Sequence, residues 1–247
     1  MLKEERQAYI IKQINLHNKV LSSDLSLQLA VSEDTIRRDL NELAETGKVL
    51  KVHGGALSKS FHYPFQQNDT YAQEAKKEIA RKALKLLKKG MSVLVGGGTT
   101  MIELARMMPD NLDCTFFTVS PLVALELAEH SHLDVILLGG KLSKNAQISI
   151  GSQVISQLRD IRVDLCLLGA NSLSIEEGVT DSDWEVVQVK KAMLRSARKT
   201  AIIGISEKLD SIQKMTVCPI GEIDLLISDL AKTDEKAIRY QKYVKII

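Results

Sequence analysis

The stretch Val31-Ser32-Glu33-Asp34-Thr35-Ile36-Arg37-Arg38-Asp39-Leu40 constrains this chain more than any other. Ile36, Leu40 and Leu43 recur at helical spacing and make one apolar stripe. Asp34, Arg38 and Asn41 point away from that stripe, and Thr35 and Arg37 lie on its flanks. Ser32 is a good N-cap, and Glu33 and Asp34 suit the positive end of the helix dipole. A short, capped helix with adjacent arginines in its first turns has the chemistry of a major-groove reader, because the guanidinium fork accepts guanine O6/N7 or a phosphate.

The flanks agree with that reading. Glu4 to His17, carrying Ile10, Ile11 and Ile14, is expected to form a first helix. A second, short helix is expected over Asp24 to Ala30, capped by Ser22 or Ser23. Only Val31 and Ser32 then separate it from the third, which is the tight connection of a helix-turn-helix. After Gly47, the strand around Val49, Leu50 and Val52 meets Gly54-Gly55 and returns through Ala56 and Leu57. This makes a small β-hairpin wing with Lys51, His53 and Gly54 near its tip, further candidates for contact with DNA.

Bulk charge does not announce this function. The chain has 33 basic and 31 acidic residues, and residues 1–60 hold nine Lys/Arg against eight Asp/Glu. A basic surface must therefore come from placement, which suits a specific reader of operator DNA better than a general coat. The charged N-terminus lacks an apolar core of the signal-peptide kind, and no run approaches the roughly 20 apolar residues of a membrane span, so a cytoplasmic protein without a membrane partner is expected. Cys114, Cys166 and Cys218 are widely spaced and are expected as buried free thiols. His130-Ser131-His132 lacks neighbouring ligands, so no metal site and no cofactor are expected.

Residues 1–57 are expected as one domain, 58–74 as a linker rich in polar residues, and 75–247 as a second domain. In the latter, a helix is expected from Ala75 to Lys89, with Lys76, Lys77, Arg81, Lys82, Lys85, Lys88 and Lys89 on a solvated face. Continuous apolar strands follow at 91–95, 115–119, 135–138, 163–168, 200–205 and 225–228, alternating with helices. That pattern predicts an α/β domain with a parallel sheet and helices on both faces.

Ligands of such sheets sit outside the carboxyl ends of the strands. Several turns fall there. Gly96-Gly97-Gly98-Thr99-Thr100 joins a strand to a helix N-terminus, where backbone amides and threonine hydroxyls suit an anion, although neither a Walker loop nor GxGxxG is present. Gly139-Gly140-Lys141, Gly169-Ala170-Asn171, Thr180, Glu185 and Lys208 are expected at the same edge. A tight connection needing glycine is the structural alternative at each turn.

The segment Ser32-Glu33-Asp34-Thr35-Ile36-Arg37-Arg38-Asp39-Leu40, with Leu43, Gly47 and His53-Gly54-Gly55-Ala56, resembles the DNA-binding domain of the DeoR family of bacterial transcriptional regulators. Residues 75–230 resemble that family's sensor domain, itself similar to the ribose-5-phosphate isomerase fold, through Gly98-Thr99-Thr100, Leu138-Gly139-Gly140, Gly151, Asp164, Gly169-Ala170, Gly178, Thr180, Glu185, Lys190, Met193, Lys208 and Asp229. The resemblance implies a homo-oligomeric repressor of a carbohydrate-catabolic operon that responds to a phosphorylated sugar. Two departures stand out. The family's Asp-Ser before Gly-Thr-Thr is Gly96-Gly97 here, and an acid, Glu207, precedes Lys208. The alternative is a sugar-phosphate isomerase with an appended DNA-binding domain. It needs a carboxylate base, and the turn Leu168-Gly169-Ala170-Asn171-Ser172 supplies none, so no enzyme is expected.

Overall fold

The computed structural model describes residues 1–58 and 71–247. The chain divides into two compact units, Met1–Tyr71 and Ala72–Ile247. Most of the linker expected over 58–74 lies outside the described residues.

The first unit has helices α1 (Lys3–His17), α2 (Ser22–Leu29) and α3 (Glu33–Glu45), and a three-stranded sheet of β1 (Lys19–Leu21), β2 (Val49–Val52) and β3 (Gly55–Ser58) in the order β1-β3-β2. Ala30 at φ +52 breaks α2, and Ser32 caps α3 by accepting the Thr35 amide at 3.2 Å. The α3 stripe is fully sequestered: Ile36, Leu40 and Leu43 pack on Ile10, Ile14, Leu25, Val49 and Ala56. Each such side chain contributes about 1.5–3 kcal/mol.

The expectation for α2 is corrected in one respect. The helix begins at Ser22, neither Ser22 nor Ser23 is its cap, and the Ser22 amide donates to the carbonyl of Gly54 in the wing turn at 2.8 Å. The unexpected strand β1 is the reason, since it carries the chain straight into the helix. It also explains Gly55. A Cβ there would lie 1.9 Å from the Val20 carbonyl oxygen, so β1 and β3 meet only over a glycine.

Asp39 shares the buried face of α3 and is 2 % exposed. It accepts from Arg6 Nε at 2.5 Å, Arg6 Nη2 at 3.2 Å and Gln7 Nε2 at 3.3 Å, which ties α1 to α3. This contact raises the Arg6 guanidinium above its ordinary range, chiefly through the hydrogen bond to Asp39.

The second unit is built on a seven-stranded sheet in the order β15-β14-β12-β9-β4-β5-β6, parallel throughout. Its strands are β4 (Ser92–Val95), β5 (Thr115–Thr118), β6 (Asp134–Leu137), β9 (Leu165–Gly169), β12 (Thr200–Ile203), β14 (Leu225–Ile227) and β15 (Lys245–Ile246). From β4 the chain winds outward through β5 to β6, and from β9 it winds the other way through β12 and β14 to β15. The β4/β9 pair is therefore the topological switch point.

Right-handed crossovers in opposite directions load opposite faces. Leu94, Cys166, Leu168, Ile202 and Leu226 pack with Val154 and Leu158 of α7 (Ser152–Asp160), Val186 and Val189 of α8 (Trp184–Arg195), and Tyr240 of α9 (Glu235–Gln241). The intervening Val93, Val95, Leu165, Leu167 and Ile203 are equally buried on the other face. Helices α4 (Gln73–Leu84), α5 (Thr99–Arg106) and α6 (Pro121–Ala128) pack there in series.

Three pieces had no strong periodic signal and were not expected. They are the hairpin β7 (Lys141–Ser143) and β8 (Ile148–Ile150), the small antiparallel sheet β10 (Ser172–Ser174), β11 (Gly178–Asp181) and β13 (Met215–Cys218), and the C-terminal α9 and β15. The three cysteines are free and buried.

Replacing Asp39 by Ala is expected to strip Arg6 of its acceptor, while Gln7 keeps Glu42 at 2.9 Å, and to destabilise the first unit by roughly 1–3 kcal/mol. The check is the thermal or urea unfolding of that unit, followed by α-helical circular dichroism.

Candidate DNA interface and effector site

The exposed face of α3 carries the arginines. Arg37 and Arg38 are 65 % and 78 % exposed at the side chain. Each is held by an acid one turn earlier, Arg37 by Glu33 at 3.4 Å and Arg38 by Asp34 at 2.7 Å. Such exposed pairs contribute little to stability, and they orient the guanidinium groups along one helix face. Ser32 and Thr35 share a hydroxyl hydrogen bond of 2.9 Å at the helix start. Asn41 accepts from Lys51 Nζ, which braces wing strand β2 against α3. His53 and Gly54 form the exposed wing turn, where Gly54 at φ +75 needs the freedom of glycine. All nine residues singled out for DNA thus lie on α3, its cap or the wing of one small unit.

In the second unit the loops after β4 and β9 adjoin at the switch point. A Cβ on Gly169 would sit 3.5 Å from the Gly97 carbonyl oxygen. The helix after β4 starts at Thr99, two residues earlier than the sequence suggested, with Gly98 at φ +111 as its N-cap. Thr99 and Thr100 therefore belong to the first helical turn. Among the described residues, the amides of Gly97, Gly98, Thr99 and Thr100 meet no protein acceptor, which leaves four donors and the positive helix end facing the sheet edge. Gly97 admits no side chain, because its Cβ would lie 2.5 Å from Ile148 Cγ2 of β8.

Beside this loop, the turn Gly169-Ala170-Asn171 gathers lysines. Lys190 Nζ donates to the Gly169 carbonyl at 3.0 Å and pairs with Asp181 at 2.8 Å. Lys208 Nζ donates to the Ala170 carbonyl at 3.1 Å and has no carboxylate within ion-pair distance among the described residues. Asn171 Nδ2 reaches Asp181 at 3.4 Å, whereas its buried Oδ1 has no hydrogen-bond partner among the described residues.

Burial pushes the Lys208 ammonium down to about 7, and the charges of Lys76 and Lys190 add to the effect. Burial likewise pushes Lys76 down to about 8, with Glu103 opposing. Burial alone would raise the Asp181 carboxyl, but the charge and hydrogen bond of Lys190 outweigh it and hold the group below the usual carboxylate range.

The solvated lysine face expected for the helix after the linker needs correction at two positions. Lys76 is 7 % exposed, and Lys82 is half-buried, donating to the carbonyls of Ser228 at 2.7 Å and Leu230 at 3.3 Å. Lys76 shares the i, i+3, i+4, i+7 row of Ile79, Ala80 and Ala83, a spacing that carried the signal of its burial.

The other residues expected at this edge are already engaged or closely packed. Gln157 takes both the amide of Gly139 (3.2 Å) and its carbonyl (3.0 Å). A Cβ on Gly140 would lie 2.8 Å from the Ile150 carbonyl oxygen, so this glycine serves close packing. Buried Thr180 accepts the Gln213 amide at 2.8 Å. Lys141 and Glu185 pair with each other at 3.7 Å at the exposed rim, beside Trp184.

Comparison with known proteins decides the family. Residues 6–61 match the DeoR-like helix-turn-helix domain and residues 71–230 the DeoR C terminal sensor domain. The chain belongs to the DeoR family of DNA-binding transcriptional regulators. It is similar to the HTH-type transcriptional repressor GlcR of Bacillus subtilis, 33% identical over 93% of this chain and 89% of the relative. It also resembles the HTH-type transcriptional regulator GlpR of Haloferax volcanii, 32% identical over 93% and 91%. With the L-fucose operon activator of Escherichia coli it shares 29% identity over 92% and 96%. Among solved structures, ribose 5-phosphate isomerase A of Methanocaldococcus jannaschii is similar over 56% of this chain and 54% of that one, with 18% identity and a TM-score of 0.40. No helix among the described residues is long and apolar enough to cross a membrane.

Arg38→Ala is expected to weaken binding to an operator duplex, selected by this regulator from random-sequence DNA, by roughly 1–3 kcal/mol. Fluorescence anisotropy at fixed salt would measure it. Operator affinity equal to the parent's would remove Arg38 from the interface.

Proposed function

We propose that this regulator controls a carbohydrate-catabolic operon, as a repressor, and that a phosphorylated sugar bound at the carboxyl edge of the sensor sheet modulates its hold on DNA. The observation that carries this reading is Lys208, a half-buried cation whose one partner among the described residues is the Ala170 carbonyl, beside the amides of Gly97 to Thr100, which meet no acceptor among those residues. A phosphate placed there would accept from the loop amides and from Lys208, with Lys76 adding charge. Asn171 Oδ1 awaits a donor, which a sugar hydroxyl would supply. The relatives' names support the sugar context: one is a repressor and another an L-fucose operon activator. Repression is our reading of the sign.

The isomerase alternative is weaker. The carboxylate nearest the lysines, Asp181, is locked to Lys190 and held ionised well below neutral pH, which makes it a poor general base. Glu185 is occupied at the rim by Lys141.

On this reading residues 1–57 recognise DNA, 58–74 connect, and 75–247 sense. A homo-oligomer in the cytoplasm places two α3 helices on half-sites about one helical turn, or a multiple, apart. The sugar changes DNA affinity only by its differential affinity for the two states of the protein.

A thermal-shift screen of phosphorylated sugars against their unphosphorylated counterparts tests this. The phosphorylated form alone should stabilise, by about 2.7 kcal/mol at a hundred times its dissociation constant. Because a lysine lowered to about 7 loses its proton as pH rises, affinity should be roughly ten-fold or more weaker at about pH 8.5 than at about pH 6.5. The sign for the ligand-free protein is opposite. Its unfolded state binds more protons between about 7 and the ~10.4 of a free lysine, so stability contributed by this site rises with pH across that window. Equal shifts from sugars with and without phosphate would sink the reading.

A further inference from the structure

The effector lysine is attached to the helix that leaves the connector. Ala72, at φ +53, is the N-cap of α4, the first element of the second unit, and its carbonyl accepts the Lys76 amide at 3.0 Å. Two structural threads run from this helix to Lys208. The first is charge. Lys76, buried in the first turn of α4, bears its positive field on Lys208. The second is a chain of hydrogen bonds. Lys82, in the last turn of α4, grips the carbonyls of Ser228 and Leu230, one on each side of Asp229. Asp229 in turn accepts from the Ser206 amide at 2.6 Å and the Ser206 hydroxyl at 2.8 Å. Ser206 opens the 3-10 turn Ser206–Lys208, whose last residue carries the effector ammonium.

We propose that Lys82 and Asp229 are positioning residues of the effector site, and that through them α4 carries occupancy of that site to the connector and so to the DNA reader. The proposal rests on the effector-site reading given above. The positive charge of Lys76 opposes the charging of Lys208. An anion between them turns repulsion into attraction and draws the first turn of α4 toward the Ser206–Lys208 turn. Lys82 and Asp229 keep the far end of α4 and that turn in one frame, so the pull acts on the helix start rather than dissipating in a loop. Lys82 suits a clamp. Its ammonium is half-buried and bonded to two main-chain carbonyls, so it senses the position of the backbone around Asp229 directly. This is coupling by differential contact between two states, with no direct touch needed between ligand and DNA reader.

Hydrogen exchange of the full-length protein, with inorganic phosphate as the probe and chloride at equal ionic strength as control, tests this. Phosphate is expected to slow amide exchange at 97–102, at 204–209 and, several-fold, at 73–80. In Lys82→Met the slowing at 97–102 should persist while that at 73–80 falls to within about two-fold of the chloride control. Lys82→Arg should restore it, and Asp229→Asn should behave as Lys82→Met does. Equal phosphate protection of 73–80 in the parent and Lys82→Met overturns the proposal. So does protection of 97–102 and 204–209 in the parent without any at 73–80, a result that leaves the effector site standing and needs no variant to fold. Phosphate that protects no segment of the parent removes the effector-site reading and this proposal with it.

Discussion

All seven strands of the sensor sheet run in one direction, so every strand ends at the same edge, and the winding reverses between β4 and β9. Everything distinctive about the second unit follows from that constraint. Helices leave from the two central strands toward opposite faces, which opens a crevice where their loops meet. The loop after β4 brings unsatisfied amides and a helix N-terminus. The loop after β9 brings carbonyls, and those carbonyls receive Lys190 and Lys208 from two other elements. Donors from one loop thus meet cations from two elements distant from it in sequence.

The cations there are unequally neutralised. Lys190 has Asp181, and Lys76 has the field of Glu103, itself engaged by Arg106 at 3.3 Å. Among the described residues Lys208 has only a carbonyl dipole. A half-buried ammonium with so little neutralisation costs the folded protein stability. In the first unit the opposite economy holds. Asp39 is buried but fully bonded to α1, whereas Arg37 and Arg38 stay outside with weak, exposed partners.

The first unit was legible in detail because its signals are local. Ser32 as cap, the Ile36, Leu40 and Leu43 stripe, and the glycine turn of the wing each act within a few residues. Strand β1 was missed because three half-buried residues carry no period, and the role of Asp39 was missed because its partners Arg6 and Gln7 lie on another helix. In the sensor, the parallel sheet was legible from its continuous apolar runs. The β7–β8 hairpin and the small antiparallel sheet were not, since their strands are short and stand only on contacts with distant elements.

The sequence by itself determined that a winged helix-turn-helix precedes a parallel α/β unit, and that a glycine turn after β4 leads into a helix. Periodicity, capping and glycine conformation are properties of neighbouring residues, so they survive without coordinates. Tertiary structure decided which polar groups remain free at the edge. It assigned Gly139 to Gln157, Gly140 to close packing and Thr180 to Gln213, buried Lys76, and tied half-buried Lys82 to main-chain carbonyls. Whether a donor is satisfied, or a charge is buried, depends on atoms far along the chain, and only the folded molecule brings those atoms together.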